Sequence, residues 1–302
     1  MDFRIEAACG SSVGKVRSNN EDNFLFDGTC LPEKNSGQLP PLYLYGTFEG
    51  SVTMAVFDGM GGMDHGEAAS ATAAESVKRL LEQMEIPSPE ALEDICLQAN
   101  RAVWQKAAEL GTQRMGSTLA MLCFDGAHVY AVNVGDSRIF GLRDDRLVQI
   151  SQDHTDEAYM KAKGIVGRKP RLTQYMGIDP GEVRLEPYVT RGGVQTGDTY
   201  LICSDGLTDM LDEAAIRALL ADSGTAAACV ERLISAALEQ GGRDNVTVTV
   251  CRVLEQTNSE RMEENDRNAS QSPVARLGGL GASWGRKLWS GIQDSAKHIR
   301  RN

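Results

Sequence analysis

The chain has 302 residues, 41% of them hydrophobic, enough to bury a sizeable core in one large domain or two small ones. Its 42 acidic residues outweigh 31 basic ones for a net charge of −11. That balance argues against a general nucleic-acid binder, whose affinity comes from basic groups neutralising phosphates.

In chain order, residues 4–9 alternate weakly and predict a short opening strand. Residues 27–50, rich in Gly, Pro and polar groups, predict a loop with at most a ragged hairpin. Residues 51–57 predict a strand that stops at Asp58-Gly59. From 66 to 84, Ala69, Ala73, Val77, Leu80, Leu81 and Met84 recur on one helical face. Ser88 then caps a second helix, with Pro89 in its first position and Leu92, Ile95, Ala99 and Val103 along its apolar side. Beyond it the period changes. Residues 117–124, 128–134, 137–142 and 147–150 are short apolar segments separated by Asp125-Gly126, Gly135-Asp136 and Asp144-Asp145, the pattern of an antiparallel meander. Residues 151–196 are less regular, and the basic, glycine-containing stretch 161–170 is expected on the surface. Residues 199–203 predict a strand ending at Asp205-Gly206, 212–220 and 225–240 predict helices, and 246–253 predict a final alternating strand.

After Leu254 the composition shifts. Residues 255–270 form a polar linker of charge −3 and residues 271–302 a basic tail of +5, so the total of −11 leaves −13 on the folded unit, residues 1–254. Trp284, Leu288 and Ile292 recur every four residues, the spacing of a short amphipathic helix that five nearby glycines weaken. Such a tail is either disordered, or folds back onto the acidic core as a helix, or docks weakly on an anionic membrane surface or a partner. No apolar run approaches the roughly eighteen residues of a membrane span, and residues 1–6 show no signal-peptide pattern. Cys9, Cys30, Cys96, Cys123, Cys203, Cys229 and Cys251 are odd in number and never in CxxC spacing, which fits reduced thiols. A cytoplasmic protein is expected.

Three aspartates share a setting. Asp58 and Asp205 follow apolar strands and precede glycine, and Asp244 stands just before one. Asp-Gly after a strand is ordinary turn chemistry, but the run Asp58-Gly59-Met60-Gly61-Gly62 holds more glycine than a hairpin needs. It suits a loop wrapped around an ion or phosphate. Should the three carboxylates converge, a hard divalent cation such as Mg²⁺ or Mn²⁺ would offset their repulsion. The four histidines, with no HxH or HxxxH spacing, count against a zinc hydrolase. Residues 14–22 (GKVRSNNED) read either as a charged turn between strands or as a phosphate grip by Arg17 with Glu21 and Asp22 holding metal-bound waters. No Walker-type loop is present.

Eight blocks in collinear order complete the pattern: 16–22 (VRSNNED), 56–62 (VFDGMGG), 66–70 (GEAAS), 116–119 (GSTL), 134–138 (VGDSR), 153–155 (DHT), 201–207 (LICSDGL) and 242–247 (GRDNVT). Together they resemble the metal-dependent protein phosphatases, the type 2C Ser/Thr enzymes, in their bacterial form. The resemblance implies an α+β fold, a central β-sandwich of two antiparallel sheets flanked by helices. It implies that Asp58 bridges two Mn²⁺ or Mg²⁺ ions, that Asp205 and Asp244 complete one, and that the carbonyl of Gly59 contributes to the other. Glu21 and Asp22 would act through water, Arg17 would bind the substrate phosphate, and Asp136 would help hold a third, weaker ion. It departs from the bacterial pattern at Met63, where a histidine is common; His65 stands two residues on. The segment between Asp153-His154-Thr155 and Asp198 is short for the family's variable flap. The expected substrates are phosphoproteins, with a Ser/Thr kinase as the opposing partner. A single phosphoserine regulator as substrate, or a catalytically weak phosphoprotein-binding module, are the alternatives. His154 is expected to be a structural hydrogen-bonding residue and Cys203 a core residue.

Overall fold

In the computed structural model, residues 2–48, 50–60, 65–84, 87–112 and 115–257 are described. The elements begin with β1 (Asp2–Ser12), β2 (Asp22–Phe26), β3 (Thr29–Cys30), β4 (Gly37–Phe48) and β5 (Val52–Met60). α1 (Gly66–Leu81) and α2 (Pro89–Glu109) follow, then β6 (Gly116–Ser117), β7 (Leu119–Phe124), β8 (His128–Val134), β9 (Arg138–Arg143) and β10 (Arg146–Gln149). The rest comprises α3 (Glu157–Lys163), β11 (Tyr188–Gly193), β12 (Thr199–Cys203), α4 (Asp205–Thr208), α5 (Glu213–Ala221), α6 (Ala226–Glu239) and β13 (Val246–Thr257).

The strands make two antiparallel sheets. One runs β10-β9-β12-β13-β1-β4, the other β11-β8-β7-β5-β2-β3, with β6 added to the end of β5. Strands covered on both faces lose the polar alternation of half-exposed ones. Accordingly β2, β7 and β12 are buried at every residue. Between the sheets lie Ile5, Phe24, Phe26, Met54, Val56, Leu122, Phe124, Ile139 and Ile202. On the outer face of the second sheet, α1 and α2 pack Ala69, Ala73, Val77, Leu92 and Val103 over Phe57, Leu119 and Met121. Over the first sheet, α5 and α6 set Ile216, Leu220, Val230, Leu233 and Ile234 against Phe140, Leu201 and Val248. Each buried Val, Leu, Ile, Phe or Met among them contributes roughly 1.5–3 kcal/mol of transfer free energy. The result is the expected α-β-β-α layering.

The cap at Ser88 is as expected, and two expected helix starts prove to be caps as well. Ser88 Oγ accepts from Ala91 N at 3.2 Å with Pro89 opening α2, while Asp212 and Thr225 cap α5 and α6 in the same way. Three expectations need correction. Residues 37–48 are a strand rather than loop; β4 is an edge, and its pairing with β1 breaks between Cys9 and Ser11, so the segment holding Pro40 and Pro41 stands outside the ladder. Proline is tolerated there because an edge needs no second row of donors. Second, the four segments from 117 to 150 are not one meander: β7 and β8 pair in the second sheet, β9 and β10 in the first. Gly135-Asp136-Ser137 is therefore a passage between sheets, not a hairpin turn. Third, 151–196 contains α3 and β11, which pairs with β8. The last strand reaches Thr257, three residues past the predicted domain limit, and the linker from residue 258 and the tail 271–302 lie outside the described residues. No helix among the described residues is long and apolar enough to cross a membrane.

Candidate metal centre and active site

The two sheets deliver their acids to one region. Asp22 opens β2 and pairs in register with Asp58, which lies inside β5 and not beyond its end as expected. Asp58 is fixed through its backbone: its N–H donates to Thr118 Oγ1 at 2.9 Å and its carbonyl accepts from Thr118 N at 2.8 Å. Thr118 Oγ1 in turn meets Ser137 Oγ at 2.6 Å, beside Asp136 in the passage between sheets. From the other sheet, Ser204 Oγ donates to Asp22 Oδ2 at 2.8 Å and accepts from Thr247 N at 3.0 Å, which places Asp205, the first residue of α4, next to the cluster.

Asn245 ties the remaining pieces. Its Oδ1 accepts from Glu21 N at 2.8 Å, and its Nδ2 donates to the carbonyls of Val13 at 2.8 Å and Asn19 at 2.9 Å. The loop carrying Arg17 and Glu21 is thus laid against Asp244. Glu21 O accepts from Gly59 N at 3.0 Å. The glycines after Asp58 and Asp205 serve space rather than a special dihedral. A Cβ on Gly59 would stand 2.1 Å from Gly66 O and 2.5 Å from Glu21 O, and one on Gly206 would stand 1.9 Å from Asn245 O. The carbonyl of Gly59 abuts Gly66 at the start of α1.

The electrostatics are those of an acid cluster with too little counter-charge, two basic side chains standing against five aspartates. Burial first, then Asp205, Asp22, Asp136 and Asp244, push Asp58 well above the ordinary carboxylate range. Burial raises Asp22 to about 7 against the hydrogen bonds of Thr247 and Ser204, with Asp205 and Asp244 adding repulsion. Burial and Asp205 raise Asp136 to about 7. Glu21 is raised by burial, with Arg17 opposing and Glu67 and Asp244 adding to the rise. Oxygen donors that repel one another in this way suit a hard divalent cation. Two of the acids are meanwhile met by basic side chains: Arg17 Nη2 donates to Asp244 Oδ2 at 2.7 Å, and Lys169 Nζ donates to Asp205 and, at 2.7 Å, to Asp209 Oδ2. Among the described residues, no three histidine, cysteine, aspartate or glutamate groups already enclose a single point.

A pH dependence follows for the metal-free protein. Unfolded aspartates ionise near 4, so between about 4 and about 7 the folded chain holds protons at Asp22 and Asp136 that the unfolded chain has released. Their contribution is present below pH 4 and is lost as pH rises to 7. Asp125 and Asp156 are shifted the opposite way: hydrogen bonds from His128 and Ala127 hold Asp125 low despite its burial, and Arg168 and Arg171 hold Asp156 low. Their gain is complete by about pH 4, whereas His154, held low by burial, gains stability as pH rises toward its unfolded value and offsets part of the loss. Calorimetry in EDTA is therefore expected to show the unfolding midpoint falling from pH 4 to 7, for a loss of stability on the order of a few kcal/mol, with Mn²⁺ restoring it at pH 7. A midpoint flat or rising across that window would contradict the cluster.

All seven predicted side chains, Arg17, Glu21, Asp22, Asp58, Asp136, Asp205 and Asp244, come to this region. Sequence reasoning gave no role to Thr118, Ser204 and Asn245, although each stands inside a matching block, and it passed over Lys169 and Asp209. Cys203 is buried, its thiol pushed up to about 12 by burial, as expected of a core residue. His154 Nδ1 accepts from Gly135 N at 3.1 Å, the structural role expected. His65 is the half-buried residue preceding α1, in the left-handed region at φ 73°, while Gly61, Gly62, Met63 and Asp64 lie outside the described residues.

The family model for protein phosphatase 2C matches residues 44–241. Serine/threonine protein phosphatase PstP of Mycobacterium tuberculosis is 32% identical over 260 residues, covering 83% of this chain but 45% of the relative, so the chain spans under half of its length. Serine/threonine phosphatase stp of Listeria innocua is 30% identical over 251 residues, 78% of this chain and 90% of the relative. Among solved structures, PppA of Pseudomonas aeruginosa superposes with a TM-score of 0.66 at 28% identity, over 84% of this chain and all of that one. The catalytic domain of PstP in complex with two manganese ions superposes with a TM-score of 0.64 at 29% identity, over 84% of this chain and 100% of that one.

Proposed function

The chain belongs to the protein phosphatase 2C family, and on that premise we propose that it hydrolyses phosphoserine and phosphothreonine in proteins with the help of two Mn²⁺ or Mg²⁺ ions. The observation that carries this reading is the convergence of Asp22, Asp58, Asp136, Asp205 and Asp244 into one mutually repelling cluster. Asp58, Asp205, Asp244 and the carbonyl of Gly59 would hold the ion pair, with Asp136 serving a weaker third ion. When bound, the ions supply Lewis acidity that acidifies water near neutral pH and draws charge from the phosphoryl oxygens.

The chain's own residues do the rest. Arg17 is about half exposed and poised beside Asp244, where its planar fork can grip a phosphoryl group and stabilise charge on the equatorial oxygens. Glu21 and Asp22 orient water around the cluster, and Asn245 keeps the Arg17 loop in place. The natural substrates are proteins phosphorylated by a Ser/Thr kinase that this enzyme opposes.

Dephosphorylation of a phosphothreonyl peptide is expected to require added Mn²⁺, to stop with EDTA, and to return with excess metal. Turnover that persists in EDTA would sink the metal reading, and no turnover with any divalent ion would leave a phosphoprotein-binding module instead.

A further inference from the structure

We propose that Lys169 is a competitor for the metal centre built into the chain itself. Its ammonium occupies the carboxylate of Asp205 and has to leave before a divalent ion can take that oxygen. Loading of the metal and release of the Lys169 ammonium are then a single event. The proposal rests on the metal reading of Asp205 given above.

Lys169 bonds two acids at once. It donates to Asp205 and, at 2.7 Å, to Asp209, one helical turn further on at the end of α4. The pair of carboxylates raises its pKa above that of an ordinary lysine, against the partial burial that lowers it. The same charge reaches Asp136, where it opposes the rise that burial and Asp205 cause. One ammonium therefore bonds Asp205 of the cluster together with neighbouring Asp209, and its charge also bears on Asp136.

The placement is constructed on both sides of the lysine. Arg168 forks onto Asp156, with Nη2 to Oδ2 at 2.6 Å and Nη1 to Oδ1 at 3.4 Å. The same Asp156 accepts from Arg171 N at 2.7 Å and donates its own N–H to Arg171 O at 2.9 Å. Residues on either side of Lys169 are thus pinned to one carboxylate, and the short span between them reaches Asp205. Thr173 N donates to His154 O at 2.8 Å, and His154 holds Gly135 beside Asp136, so the segment is fastened to the passage that carries another acid of the cluster. Yet Lys169 itself is 51% exposed while Asp205 is 16% exposed, so the lysine lies on the solvent side of the acid it covers. A flexible four-carbon stem bearing a compact charge can swing out without moving the backbone that carries it.

A state that must first release an internal cation binds an external one more weakly, by the fraction of time the site stands open. Calorimetric titration of the metal-stripped full chain with Mn²⁺ tests this. Lys169→Met is expected to bind Mn²⁺ about tenfold more tightly than wild type, and Lys169→Arg, which keeps the charge, to stay within about twofold of it. Equal Mn²⁺ affinity in wild type and Lys169→Met, or equal tightening by both substitutions, overturns the competition and leaves the metal reading standing. Mn²⁺ binding by none of the three proteins overturns the metal reading and this inference with it.

Discussion

Asp58→Asn is expected to lower kcat by about a thousandfold or more while making the metal-free protein more stable. The two effects have one cause. Asp58 faces Asp205, Asp22, Asp136 and Asp244, and burial with this company already pushes it toward the protonated form. Asparagine keeps the shape and removes the charge, so the bare fold is relieved of repulsion that it otherwise tolerates for the sake of a cation. The backbone bonds from Asp58 to Thr118 do not involve the side chain and survive the change. Relief of about 1 kcal/mol corresponds to roughly 2–4 °C in midpoint for a domain of this size. Scanning calorimetry in EDTA beside phosphopeptide kinetics in saturating Mn²⁺ measures both sides. A variant that retains near wild-type turnover, or that melts below the wild type without metal, would refute the assignment of Asp58 as the bridging acid.

Gly206→Ala is expected to cost about 3 kcal/mol of stability and to abolish activity. The new methyl carbon would lie 1.9 Å from the carbonyl oxygen of Asn245 and 2.9 Å from its carbon, both backbone atoms that no rotamer change can clear. Something has to move: either α4, which begins with Asp205, or the start of β13, where Asn245 gathers the Arg17 loop. Either shift separates Asp205 from Asp244. Urea denaturation should show a lowered midpoint, and Mn²⁺ titration of the protein that still folds should show weakened affinity. Wild-type stability would mean that the close approach of α4 to β13 is not needed to build the site. Gly193, which meets nothing within 4 Å and has no positive φ, makes a suitable control.

What could be read from the chain was what local chemistry decides. β8 and β12 begin and end where their apolar runs do, and Ser88, Asp212 and Thr225 cap helices because a hydroxyl or carboxylate before a helical run has donors to satisfy. β4 was hidden by Pro40-Pro41, whose meaning depends on whether the strand is an edge, a fact of tertiary pairing. The division of β8 and β9 between sheets was hidden for a related reason: Gly135-Asp136 looks the same in a hairpin as in a passage between layers. At the site, the aspartates were legible because each sits in a short block with its own glycine or asparagine. Lys169 and Asp209 were not, since their bond joins residues 40 apart and neither lies in a motif.

The pairing of β1 with β13 sets the order in which a growing polypeptide can assemble the acid cluster. Residues 2–12 wait in the middle of the first sheet for residues 246–257, with β12 waiting on the other side of the same gap. Until the last of these strands has left the ribosome, two interior edges stay open, and Asn245 is not there to seat the Arg17 loop. Contacts of such sequence separation form late and slowly. The second sheet, closed by strands from residue 22 to residue 193, can assemble earlier, but it holds only part of the acid cluster. A chain that lacks β13 therefore cannot complete the acid cluster, and the cluster comes together only once residues 244–257 are in place.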